Sequence, residues 1–173
     1  KFAANAAWLA LASIAFNLLA CLGLRAEACC NLGVALMHQG KLDEGIAACH
    51  AALKMNPHSA EAHGHLGAAF ALKGDLDKAI EHCTEALRVA PDTFDTLNNL
   101  GYALAARGRT EEAIECYRKA IAVNPNAPSA HLNLRLALAA QGRMEEAVGS
   151  YRKGLEIRND EPKLHASLAR ALA

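Results

Sequence analysis

The chain has 173 residues, of which 18 are basic and 18 acidic, so its formal charge is zero. A neutral surface lacks the electrostatic footprint that a nucleic-acid partner requires, which excludes a large polyanion as the expected ligand. Hydrophobic residues make up 53% of the chain, much of it alanine, a composition that suits closely packed helices around a continuous core.

The first predicted element is apolar. Phe2 to Leu24 carries no charge, its polar side chains are Asn5, Ser13 and Asn17, and Lys1 and Arg25 bracket it. A run of about 20 apolar residues is long enough to span a bilayer, but alanine is only weakly hydrophobic and asparagine is costly in lipid. Trp8, Leu11, Phe16, Leu18 and Leu19 are more large apolar groups than an end cap needs. Residues 1–25 are therefore read as a helix that caps the following array and packs on a further protein surface, a copy of this chain included. A membrane anchor over residues 2–24 is the alternative, and Leu18-Leu19-Ala20-Cys21 resembles a lipoprotein cleavage box. The absence of an initial methionine and the abrupt end at Leu172-Ala173 suggest a fragment of a larger protein.

From Ala26 onward the chain repeats itself. Leu32, Leu66, Leu100, Leu134 and Leu168 stand 34 residues apart, and Gly40, Gly74, Gly108 and Gly142 keep the same step. Four units, 26–59, 60–93, 94–127 and 128–161, precede a partial fifth over 162–173. One unit of this size cannot bury its own apolar face, so the fold exists only as a stack of neighbours. In unit one, Leu32 and Leu36 form a stripe before Gly40, and Leu42, Ile46, Cys49 and Leu53 form a second stripe after it. Steps of three and four residues predict helix, turn, helix, and no window alternates as a strand would. Gly40 and its equivalents follow the first helix of each unit, where a left-handed residue is best tolerated without a Cβ. Asn56-Pro57, Ala90-Pro91 and Asn124-Pro125 close the units, because proline disfavours helical geometry in the residue before it.

Gly33, Gly67 and Gly101 fall mid-helix, where glycine costs about 1 kcal/mol relative to alanine. Close helix contact is the expected compensation, against the small columns Gly45, Ala79, Ala113, Ala147 and Ala52, Ala86, Ala120, Gly154. In unit four Arg135 takes the glycine's place, which predicts splayed packing or a guanidinium that reaches outward. Asn159 there replaces the closing proline.

Chemistry-bearing residues give little foothold for catalysis. Cys49 and Cys83 share a column in successive units, about 10 Å apart and beyond the ~7 Å Cα limit for a disulfide. The six cysteines are read as small buried apolar residues in a reducing, cytoplasmic setting, a membrane-anchored or periplasmic location being the alternative. His63, His131 and His165 also share a column, but neighbours about 10 Å apart cannot hold one metal through ~2.1 Å bonds. No phosphate loop, nucleophile elbow or paired-carboxylate motif occurs. The expectation is a protein without enzymatic activity, cofactor or metal.

Residues 26–173 resemble tetratricopeptide repeats, most fully in unit three through Asn99-Leu100-Gly101, Ala113, Tyr117, Ala120 and Pro125. The resemblance implies an all-α, right-handed α-solenoid of about four 34-residue repeats whose first helices line a concave groove for peptides or partner helices. It places Asn31, His65, Asn99 and Asn133 in one groove column, an incomplete asparagine ladder. Such amides either hold a peptide backbone through their paired donors and acceptors or simply end a solvated face. Beside them Val34, Ala68, Tyr102, Leu136 and Met37, Ala71, Ala105, Ala139 form an apolar floor, and Glu27, Glu61 and Asp95 a rim. Asn31, Val34, His65, Asn99, Tyr102, Asn133 and Leu136 are thus the candidate peptide-binding residues. Chaperone-tail-binding relatives clamp a terminal carboxylate with lysine and arginine, where this chain has Glu27, Cys30, Glu61, Gly64 and Asp95. The expected partner is instead a protein or peptide segment that is apolar with some basic residues. The expected role is an interaction scaffold, the alternatives being a membrane-tethered assembly factor or the recognition array of a larger enzyme such as a glycosyltransferase.

Overall fold

The computed structural model describes residues 26–157. These form eight α-helices, α1 (Ala26–His38), α2 (Leu42–Met55), α3 (Ala60–Lys73), α4 (Leu76–Val89), α5 (Phe94–Ala106), α6 (Thr110–Val123), α7 (Pro128–Ala140) and α8 (Met144–Ile157). The expected N-terminal helix, the partial fifth unit, Asn159, His165 and Leu168 lie outside the described residues. None of the described helices is long and apolar enough to cross a membrane.

The helices stop where the residues dictate. Gly40, Gly74, Gly108 and Gly142 adopt φ of 78°, 80°, 80° and 73°, the left-handed region that a side chain would strain. At α3 the Gly74 N–H donates back to the Ala71 and Phe70 carbonyls, satisfying groups that the helix end leaves open. Helix starts are capped by the Ser59 hydroxyl, which accepts from the Ala62 N–H at 3.2 Å, and by the Asp75 carboxylate, which accepts from the Lys78 N–H at 3.4 Å. Between units, Asn56 and Asn124 side chains accept from the N–H two residues on, both at 3.2 Å, which turns the chain across the intervening proline. Where Ala90 lacks that side chain, the Thr93 hydroxyl donates to its carbonyl at 3.1 Å instead.

Packing is set by how closely the helices approach. A Cβ placed on Gly33 would lie 2.7 Å from Cys49 Sγ and 2.9 Å from the Gly45 carbonyl, while one on Gly45 would lie 2.7 Å from the Gly33 carbonyl. Backbone meets backbone at this crossing. On Gly101 the added carbon would fall 2.6 Å from the Tyr117 ring, and on Gly67 it would collide with Cys83 Sγ. The expected small column therefore contributes only backbone, at Gly45 and Ala79, and the side chains that fill the glycine notches are Cys49, Cys83 and Tyr117. The crossing places the residue one turn further along α2, α4 and α6 over each glycine. Arg135, in the equivalent place on α7, is half-buried.

Consecutive first helices, α1 with α3, α3 with α5 and α5 with α7, touch one another, whereas consecutive second helices barely meet. The first helices thus line the inner side of the array. Exposed ion pairs join each unit to the next, Asp43 to Lys73 at 2.5 Å, Asp77 to Arg107, and Glu111 to Arg143 at 3.5 Å. Pairs of this kind contribute roughly 0–1 kcal/mol each.

Candidate functional site

Two adjoining cavities lie on the inner side. The first, of about 490 Å³, runs between α3 and α5 and is lined by Glu61, Gly64, His65, Ala68, Asp95, Thr96 and Asn99 with Ala60, Ala90 and Thr93. The second, of about 390 Å³, continues over Ala68, Ala71, Leu72, Asn98, Asn99, Tyr102 and Asn133. Ala68 and Asn99 belong to both, which makes one continuous trough.

Of the seven residues expected in a groove, His65, Asn99, Tyr102 and Asn133 line this trough. Asn31, Val34 and Leu136 border neither cavity; Asn31 is exposed, Val34 half-buried, and Leu136 53% exposed. Asn133 is not a free ladder rung, because its amide donates to Asn98 Oδ1 at 3.0 Å. Met37, expected in the apolar floor, instead lies over Gly45 and packs on the core. The sequence reading missed Leu72, Thr96 and Asn98. Leu72 falls outside the leucine stripe, yet it is 78% exposed beside Tyr102 at 53%. A large apolar residue off the buried stripe at a helix end is the signal that would have found it. Thr96 is buried, and a Cβ added at Gly64 would approach its hydroxyl at 3.0 Å, so Gly64 keeps the cavity floor open between α3 and α5.

Beside the first cavity, whose wall includes Glu61 and His65, three different donors converge. His65 Nε2 stands 3.7 Å from Glu61 Oε1, one turn apart on α3. Cys30 Sγ reaches the same point from α1, and the three donor atoms lie within 4.8 Å of one another. Comparison of residues within one column passed over this cluster, since its members come from different columns of successive units. Cys30 also shares a hydrogen bond with Cys49, so the pair sits thiol to thiol inside the first unit; that bond, burial and the nearby Glu61 charge push the Cys30 thiol well above the ordinary cysteine range. All five described cysteines, Cys29, Cys30, Cys49, Cys83 and Cys116, are free thiols.

The histidine column has a structural task. The ring Nε2–H of His63 donates to the Pro57 carbonyl at 3.2 Å, and that of His131 to the Pro125 carbonyl at 2.9 Å, pinning the turns that open units two and four. With its proton on Nε2, His63 accepts at Nδ1, which faces His82 Nδ1 at 3.0 Å. His82 stacks on Phe70 with centroids 5.5 Å apart, His50 approaches His82 edge-on at 5.8 Å, and the Lys78 ammonium sits 5.2 Å from the Phe70 ring.

Burial, then His63, holds both His50 and His82 below the ordinary histidine value; Lys54 and Lys78 add to this at His50, while His50 and Lys78 do so at His82, where Glu81 opposes them. A base whose folded value is lowered is held neutral by the fold, so the unfolded chain binds more protons as pH falls through about 6.5. Stability from these rings is therefore present above that value and is lost below it. Urea midpoints are expected to drop from about pH 8 to about pH 5, and His82→Phe to flatten the drop. An equally steep profile in His82→Phe would remove the cluster as its cause.

Comparisons with known proteins agree with this geometry. No curated protein matches the chain. Among solved structures, that of MamA is 26% identical with a TM-score of 0.76, covering 83% of this chain and 84% of its own. Pseudomonas aeruginosa pilF is 25% identical with a TM-score of 0.78, over 85% of this chain and 67% of its own. YrrB, described as a TPR protein with an unusual peptide-binding site, shares the fold at 20% identity and a TM-score of 0.72, over 83% of this chain and 74% of its own. Family models described as tetratricopeptide repeat match residues 30–96 and 130–164, and one described as TPR repeat matches residues 101–142. With these matches running through all four helix pairs and their glycine-terminated first helices, the chain belongs to the tetratricopeptide repeat family.

Proposed function

We propose that this chain is an interaction scaffold, without catalytic activity of its own, that holds an extended or helical peptide segment along the inner trough. The observation that carries the reading is the exposure of Leu72 and Tyr102 on a continuous trough whose other end presents Glu61 and Asp95. Large apolar side chains left in water are seats for apolar anchors, and acidic neighbours favour basic residues flanking them. Asn99, common to both cavities, offers a donor and an acceptor to a passing peptide backbone. YrrB lends the fold-level support that such an array accommodates a peptide.

Selection of displayed random peptides on the full chain tests this. Enriched sequences are expected to carry leucine-like anchors with nearby lysine or arginine. Tyr102→Ala combined with Asn99→Ala should weaken the selected peptide by roughly 1–3 kcal/mol by calorimetry, with helical content intact. Acidic winners, or full-strength binding to the double variant, would place the binding surface elsewhere.

A further inference from the structure

We propose that Cys30, Glu61 and His65 form a binding site for a divalent transition-metal ion, with zinc the ion their chemistry selects, at the junction of the first two helix pairs. The three donor atoms lie within 4.8 Å of one another. In a tetrahedral zinc site, bonds of about 2.0–2.3 Å set donors roughly 3.5 Å apart, so closure needs a movement of about an ångström. Glu61 is exposed and His65 half-buried, which leaves both side chains free to make that movement.

The donor set discriminates among ions. One sulfur, one ring nitrogen and one carboxylate oxygen match zinc, whereas calcium and magnesium take oxygen ligands almost throughout. Depth is graded in the same sense. Cys30 is 1% exposed, and Glu61 and His65 form the wall of the first cavity above it. The two hard or borderline donors are thus the solvent-accessible ones and the soft donor the buried one. Three protein ligands would leave a fourth position for water.

Loading requires the Cys30 S–H bond to break as the sulfur–metal bond forms, the proton leaving to solvent. Because that proton must leave, affinity is expected to fall as pH is lowered. The dication reverses the local balance in favour of the Cys30 thiolate. Ligands drawn from α1 and α3 bridge successive units, so the ion would brace their junction whether or not a peptide occupies the trough.

Cobalt(II) added to the full, reduced, metal-free chain is the probe. The expected result is a thiolate-to-cobalt charge-transfer band in the near ultraviolet together with visible d–d bands, both displaced by zinc. Cys30→Ala should abolish the charge-transfer band, and Cys49→Ala should keep it. Because Cys30 lies in the core, Glu61→Gln and His65→Ala at the cavity wall carry the test independently, each weakening cobalt binding by about tenfold or more. The absence of the band, its survival in Cys30→Ala, or unchanged affinity in both wall variants would overturn the proposal. No peptide is present in this titration, so its failure leaves the scaffold reading untouched.

Discussion

Gly101→Leu is expected to lower the free energy of unfolding by about 1–3 kcal/mol, with a matching fall in the urea midpoint. Helix propensity pulls the other way, since leucine in place of a mid-helix glycine favours the helix by somewhat under 1 kcal/mol. Packing decides the sign. The first added carbon already falls 2.6 Å from the Tyr117 ring, and that ring is 2% exposed in a cluster with Leu100, Leu104 and Leu134. A buried ring has nowhere to retreat without opening α5 from α6. Circular dichroism during urea denaturation measures the effect; an unchanged midpoint would show that the two helices separate freely. Tyr117→Ala in the Gly101→Ala background removes the ring that the new Cβ meets, so the double variant is expected to lose less than the sum of the two single losses. Additive losses would instead show the two positions to be independent.

Leu66→Ala is expected to cost about 2–5 kcal/mol, the largest effect of any single substitution considered for this chain. Leu66 is fully buried on α3 in a core with Cys30, Ile46, Cys49 and Phe70. In a linear array each unit is stabilised mainly by its neighbours, so a cavity here weakens the link between units one and two. The denaturation curve should broaden as well as shift, with a lower slope in denaturant as the array ceases to unfold as a whole. Leu72→Ala is the contrast. That side chain is 78% exposed, and its loss should stay within about 0.5 kcal/mol while weakening any peptide held in the trough. A Leu66→Ala shift no larger than that of Leu72→Ala would sink the assignment of Leu66 to the core.

The fold was legible because its determinants are local and repeated. A left-handed residue after each first helix demands glycine, and Gly40, Gly74, Gly108 and Gly142 announce it four times. The leucine column is buried at Leu66, Leu100 and Leu134, as the helical stripe requires. Less legible was which side chain fills a notch, since that depends on the crossing of two helices rather than on either alone. Tyr117 over Gly101 and Cys49 over Gly33 are facts of that crossing. The trough shows the same limit. Tyr102 and Asn99 could be placed by register, but the hydrogen bond from Asn133 to Asn98 joins neighbouring units at a spacing one residue off the repeat, which a column comparison does not inspect. Likewise Cys30, Glu61 and His65 converge from separate columns, and His63 meets His82 across a helix pair. Repeats make the common positions conspicuous and hide the chemistry carried by positions that differ from unit to unit.

The ion pairs between units fall where two helix ends of opposite polarity meet. Asp43 and Asp77 lie in the first turn of α2 and α4, while Lys73 ends α3 and Arg107 follows α5. Each charge therefore complements the dipole of its own helix as well as its partner across the junction. Because these charges are exposed, dissolved salt screens them, with a Debye length of about 8 Å at physiological ionic strength. Salt leaves the buried glycine contacts inside each unit untouched. Between units the buried core, with Leu66 against Cys30 and Ile46, lies equally beyond its reach, so the electrolyte acts only on the exposed share of the coupling, roughly 0–1 kcal/mol per pair.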